Sequence, residues 1–215
     1  MKKGLFISIE GPDGSGKSTQ LGFIKEYIDE KNIKTLFTRE PGGTAIGEKI
    51  REIILDKNNT EMASMTEVFL YAAARAQIVN EVIKPNIEKG NVVICDRFVD
   101  SSIAYQGYGR GLGDCVSEIN SYAVDGYMPD YTFFLKLDSS RGLKRIESDN
   151  SLRKEKDRIE EAGLEFHQKV LKGYMELEDK FKDRIIAIDA SQSIEDVRLE
   201  IRGHLDRILE SYYGC

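Results

Sequence analysis

The chain has no tryptophan, two histidines, three cysteines and four prolines among its 215 residues. Each scarcity closes off a class of function. His167 and His204 lie far apart, and Cys95, Cys115 and Cys215 have no metal-ligand spacing, so neither a zinc site nor a histidine-based triad is expected. An odd, scattered set of cysteines fits a reducing cytoplasm rather than a disulfide framework. Cys95, inside an apolar run, reads as a small buried hydrophobe. No apolar stretch is long enough to span a membrane. Met1-Lys2-Lys3 followed by apolar residues imitates the start of a signal peptide, but the run stops at Glu10, too short for such a segment and without a cleavage site. Positive charge is also in deficit. A net charge of −6 disfavours a nucleic-acid-binding surface and makes any basic site local.

What remains is an ordinary globular composition, 40% hydrophobic and 32% charged, long enough for one sizeable core. Apolar, β-rich runs occur at 5–9, 35–38, 91–95, 131–137 and 185–189, with helical patterns between them. That alternation predicts an α/β fold, a five-stranded parallel sheet covered on both faces in three layers. Met65, Phe69, Ala72, Ala76, Val79 and Ile83 alternate steps of four and three, predicting a core-facing helical stripe; Pro85 is expected to kink or end that helix. Ile194, Val197, Ile201, Leu205 and Ile208 give the C-terminal helix a similar stripe. Arg141, Lys144, Arg145, Arg153, Lys154, Lys156 and Arg158 crowd a run that resists a core assignment. It is either a solvated face or a mobile lid, spanning about 141–162 of a single domain over 1–215, that closes cations over phosphates.

The most informative segment is Gly11-Pro12-Asp13-Gly14-Ser15-Gly16-Lys17-Ser18-Thr19, which follows a strand-like run and opens a helical one. Such a turn aims successive backbone N–H groups and the positive end of the helix dipole at one spot. Lys17 adds a charge for the β- and γ-phosphates, and the Ser18 hydroxyl can ligate Mg²⁺. A chance glycine-rich turn rarely fills every fixed position, so a nucleoside triphosphate site is expected. A second buried run, Val92–Cys95, ends in Asp96 and then Arg97. An acid there can hold Mg²⁺ or its water. The arginine fork suits a second phosphate, although a salt bridge with Asp96 or Asp100 is the plainer alternative. No Asn-Lys-x-Asp motif reads guanine, and a donor loop plus an arginine for an acceptor phosphate points to a nucleoside monophosphate kinase.

Four separated motifs carry a more specific resemblance: Glu10 through Thr19, Thr38-Arg-Glu-Pro-Gly-Gly43, Tyr71-Ala-Ala-Ala-Arg75, and Asp96-Arg-Phe-Val-Asp-Ser-Ser-Ile-Ala-Tyr-Gln106. In this order, and nearly end to end, the chain resembles thymidylate kinases of the bacterial type. The resemblance implies a P-loop fold, ATP as donor, dTMP as acceptor, Mg²⁺ held by Ser18 and Asp96, and a homodimer. It implies that Tyr71, where relatives usually carry phenylalanine, stacks on thymine. Arg75, Ser102 and Gln106 would read the base, and Tyr105 would crowd the sugar. Asp13 would face the acceptor's 3′-hydroxyl, Arg39 and Arg51 the acceptor phosphate, and Glu40 the metal. One branch of the family carries a catalytic arginine directly after the loop acid; Gly14 stands there in this chain, so Arg153 or Arg158 of the lid is expected to supply that cation, with Lys154 a third candidate. Two rivals stand beside this reading. One is a similar kinase acting on another deoxynucleotide or on a deoxynucleoside. The other is a nucleotide-switched binding module without phosphoryl transfer.

Overall fold

The computed structural model describes residues 4–148, 157–159 and 161–214. Five strands form one sheet: β1 (Leu5–Glu10), β2 (Thr35–Arg39), β3 (Val92–Asp96), β4 (Tyr131–Lys136) and β5 (Ile185–Asp189). All pairings are parallel, in the order β2-β3-β1-β4-β5. The central strands are largely apolar and buried because helices cover both faces. Leu5, Ile7 and Ile9 of β1 pack with Ile24 and Ile28 of α1 (Lys17–Glu30) and with Val197, Ile201 and Leu205 of α9 (Ile194–Tyr213). On the other face, Phe6, Val93 and Cys95 meet Ile78, Val79 and Ile83. Phe134 meets Val170 and Tyr174 of α8 (Leu164–Lys180). The expected five-stranded parallel α/β architecture is present, and Cys95 is buried in it.

The chain first builds β2 and β3 on one side of β1, then β4 and β5 on the other. The C-terminal ends of β1 and β3 flank the switch point, where open parallel sheets form their ligand crevice. Ile9 stands opposite Asp96 in register, so two motifs more than eighty residues apart in sequence emerge side by side.

Three helical expectations need correction. In α3 (Ser64–Ile78) the buried side is Glu67, Val68, Ala72, Arg75 and Ile78, whereas Met65 and Phe69 are exposed. The buried polar contacts of Arg75 and Glu67 set the rotation of this helix and turn the Phe69 edge outward. Pro85 does not end the helical run. A π-helical turn, Val79–Ile83, precedes it and the chain continues as α4 (Lys84–Glu88). At the beginning of α4 the missing proline N–H is tolerated. In α9, Ile194 lies exposed in the first turn and Leu209 extends the buried stripe instead. Ser193 caps this helix by accepting from the Asp196 N–H at 3.1 Å, and Gly214 closes it in a left-handed conformation.

Candidate active site

The glycine-rich loop leaves β1 and enters α1 at Lys17. Gly14 and Gly16 have φ of 75° and 91°, a backbone that only glycine adopts without strain. Gly14 is also closed in from outside: a Cβ there would lie 2.3 Å from the Gly142 carbonyl oxygen of α7 (Ser139–Ser148). No larger residue fits at position 14 on this backbone, so the loop itself offers no room for an arginine. Lys17 Nζ donates to the Gly11 and Pro12 carbonyls, both at 3.0 Å. Burial and the nearby Arg97 lower its pKa to about 8, against the pull of Asp13, Asp96 and Glu10. Ser18 and Thr19 are exposed at the start of α1. Arg145 of α7 spans from the loop to the end of β5, donating to the Gly14 carbonyl at 3.4 Å and the Ala190 carbonyl at 3.1 Å.

Beside the loop, β3 ends in Asp96 and Arg97. Arg97 has φ of 65°, a left-handed conformation uncommon for a residue with a side chain and one that clusters at functional sites. Its partner is neither Asp96 nor Asp100. Nη2 meets Asp13 Oδ1 at 2.5 Å, and Nη1 donates to the Gly11 carbonyl, Ser101 Oγ and Tyr174 Oη. Tyr105 donates to Asp13 Oδ2 at 3.0 Å, and the guanidinium lies over its ring, 5.1 Å from the centroid. Burial pushes the Asp13 carboxyl up, but Arg97, Lys17 and Tyr105 outweigh it and hold it below the usual range. Asp100 pairs instead with Arg184 in the core, at 2.7 Å.

One cleft brings together Asp13, Arg39, Glu40, Arg51, Tyr71, Arg75, Asp96, Arg97, Ser102, Tyr105 and Gln106. Ser102, at the end of α5 (Val99–Ser102), and Tyr105 and Gln106, in a π-helical segment Ile103–Gly109, share its wall. Arg75 is fully buried. It donates to Glu40 Oε2 through Nε at 2.8 Å and Nη2 at 2.5 Å, and through Nη1 to Ser102 Oγ at 3.0 Å and to Asn120. Four of the five guanidinium N–H groups are thus engaged, which leaves one on Nη2. Tyr71 is half-buried, one helical turn before Arg75. Arg39 forms an exposed pair with Glu48 at 2.9 Å, while Arg51 donates to the Pro41 carbonyl at 2.9 Å.

Both Arg75 bonds to Glu40 fall on one oxygen, leaving buried Glu40 Oε1 without a donor among the described residues; Asp96 Oδ1 is buried and, among the same residues, unsatisfied in the same way. Burial pushes Glu40 up to about 7 despite Arg75. Two bare carboxylate oxygens next to a phosphate-binding loop match the hard-oxygen chemistry of Mg²⁺, which takes one or two carboxylates and relies on phosphates and water for the rest. Among the described residues no cluster of three or more acidic, histidine or cysteine ligands forms a self-contained metal cage.

Arg153 and Lys154 lie outside the described residues. Arg158 is described, and it is engaged away from the loop. Its Nε donates to the Ile54 carbonyl at 3.0 Å and its Nη2 to Glu67 Oε2 at 2.6 Å. Glu67 itself is absent from the sequence-derived site, as are Asn120, Arg110 and Tyr174. Glu67 had a legible signal: it stands four residues before Tyr71 and eight before Arg75, one line along a helix face. Asn120 had none, being a polar residue within an apolar stripe of α6 (Cys115–Val124).

Comparison with known proteins agrees with this geometry. The family described as Thymidylate kinase matches residues 9–201. The Clostridium novyi (strain NT) thymidylate kinase is 49% identical over 206 residues, 95% of this chain and all of its own. That of Pediococcus pentosaceus is 50% identical over 208 residues, covering 96% and 99% of the two chains. The crystal structure of thymidylate kinase from Ehrlichia chaffeensis superposes with a TM-score of 0.76 at 32% identity, over 95% of this chain and 99% of that one. With the loop, the Asp96-Arg97 turn and the acceptor-side motifs on one crevice, this chain belongs to the thymidylate kinase family.

Proposed function

We infer that this crevice transfers the γ-phosphoryl group of ATP to the 5′-phosphate of dTMP. The bond from the γ-phosphorus to its bridging oxygen breaks, a bond to an acceptor phosphate oxygen forms, and ADP and dTDP result. The acceptor is already an anion, so little proton transfer is required and the barrier falls through positioning and charge neutralisation. Lys17 and the loop amides hold the donor phosphates once Nζ leaves the Gly11 and Pro12 carbonyls. Arg97 takes the acceptor phosphate, with Asp13 as the partner that keeps its fork oriented. Arg39 and Arg51 extend the positive wall. Mg²⁺, held by Ser18, Asp96 and the neighbouring Glu40, would supply charge neutralisation at the phosphates. Arg158 is committed to Glu67, so we assign the catalytic cation of a lid over about 141–162 to Arg153.

The observation that carries the reading is that the Lys17 loop and Arg97 follow adjacent strand ends, with Asp13 of that loop and Arg97 lining one cleft. ADP formation measured side by side with dTMP, dUMP, dCMP, AMP and thymidine tests it. A marked preference for dTMP is expected. Equal or better turnover of thymidine would turn the assignment into a nucleoside kinase, and ADP release indifferent to every acceptor would reduce it to a nucleotide-switched module.

A homodimer is supported by apolar side chains exposed on three adjoining helices: Ile46 and Ile53 on α2 (Ala45–Leu55), Met65 and Phe69 on α3, and Tyr122 on α6. A cytoplasmic location is supported by the free thiols of Cys95 and Cys115. Among the described residues no helix is long and apolar enough to cross a membrane.

A further inference from the structure

Gln106 is fully buried in the cleft wall, and its amide is split between two environments. Its Nε2 donates to Glu67 Oε1 at 2.8 Å, while its Oε1 is buried without a partner among the described residues. The orientation of such an amide is fixed by what surrounds it. Glu67 accepts from Arg110 at 3.2 and 3.3 Å and from Arg158 at 2.6 Å. Burial pushes the Glu67 carboxyl up, but Gln106, Arg110 and Arg158 together hold it below the usual range. A carboxylate ionised in this way only accepts, so the NH₂ end of Gln106 must face it. The bare oxygen is then presented to the ligand.

We propose that Glu67 is a positioning residue for base selection, fixing Gln106 as a hydrogen-bond acceptor while the remaining Arg75 N–H serves as a donor. This rests on the cleft being the acceptor-nucleotide site. A donor and an acceptor in that arrangement complement the carbonyl and ring N–H of a thymine edge. A cytosine edge offers the reverse pattern, an exocyclic donor and a bare ring nitrogen. Buried polar groups left facing their own kind are what allow a site to reject a mismatched ligand strongly. With the charge on Glu67 removed, the Gln106 amide is free to rotate and the polarity of the wall is lost.

The test is a cycle of four proteins, wild type, Glu67→Gln, Gln106→Leu and the double variant, each assayed for kcat/KM with dTMP and with dCMP. The preference for dTMP is expected to fall about tenfold or more in Glu67→Gln, and by a similar factor in Gln106→Leu, with the double variant no worse than Gln106→Leu alone. Loss through a general loosening of the fold would lower both substrates together and add to the Gln106→Leu effect. Should Glu67→Gln not fold, Glu67→Asp keeps the negative charge between Arg110 and Arg158 but withdraws it from Gln106, and a threefold or greater drop in preference is expected. Unchanged preference in the folded Glu67 variant, beside a lowered one in Gln106→Leu, overturns the proposal. Absence of dTMP phosphorylation in the wild type would instead overturn the function on which it rests.

Discussion

The two ends of the cleft are built on different principles. At the inner end, the Arg75 and Glu40 side chains are 1% and 3% exposed, and four of the five Arg75 N–H groups are held by protein partners, with Glu40 Oε1 and Gln106 Oε1 left open beside them among the described residues. At the outer end, the Arg97 and Asp13 side chains are 18% and 19% exposed, Arg39 meets its acid at the surface, and Lys17 rests on main-chain carbonyls. Contacts of the first kind fix geometry, because breaking them leaves a charge stranded in the interior. Contacts of the second kind can be exchanged for phosphate oxygens at small cost. On the proposed function, the inner end would select by being rigid and the outer end would work by trading partners.

Replacing Arg97 with alanine is the strongest way to test the outer end. The expected result is a loss of about 10³-fold or more in kcat/KM for dTMP, since one well-placed arginine at a transferring phosphoryl group contributes on that scale. Lysine at the same position should recover little, because it lacks the planar fork. Melting temperature should change far less than activity. An unfolded Arg97→Ala protein would break the comparison, placing this arginine with the structural pairs.

The inner end predicts the opposite profile. Arg75→Met strands Glu40 in the core and is expected to cost about 3 kcal/mol of stability, read from urea unfolding, whatever happens to activity. Replacing Glu40 as well, with leucine, should return much of that loss, because two apolar side chains leave no buried charge uncompensated. If Arg75→Met unfolds at the same urea concentration as wild type, the inner end is no more rigid than the outer one.

This contrast also explains what could be read from the sequence. The outer end was legible in outline because loop chemistry is local: the spacing from Gly11 to Ser18 and the adjacency of Asp96 to Arg97 name two segments that the sheet register sets side by side. The fold was legible for the same reason, five apolar runs becoming five strands. The inner end depends on contacts across long separations. Arg75 to Asn120 spans 45 residues and Gln106 to Glu67 spans 39, and nothing in either local pattern names the partner. Even the rotation of α3 follows from those distant contacts, which is why the stripe through Met65 and Phe69 was misjudged.

A more gradual effect, spread over several pH units, concerns Glu10, whose partners Phe98 and Ser101 line the cleft beside Arg97. It is fully buried, accepting from the Phe98 N–H at 2.7 Å, Ser101 Oγ at 2.6 Å and Tyr174 Oη at 2.9 Å. Burial and the nearby Asp100 raise its pKa to about 7, against the pull of Ser101, Arg97 and Phe98. A carboxyl raised in the folded state keeps its proton there while the unfolded chain has lost it, so between about pH 4.5 and 7 this group favours unfolding increasingly as pH rises. The slope from one such proton is at most about 1.4 kcal/mol per pH unit. Glu10→Gln removes that titration while preserving the shape of the side chain. Urea unfolding from pH 4.5 to 7 should show the wild type losing stability relative to the variant as pH increases. Parallel curves would mean that the three hydrogen bonds and Arg97 offset burial and hold Glu10 at its ordinary pKa, so that Phe98 and Ser101 of the cleft wall rest on a carboxylate at neutral pH.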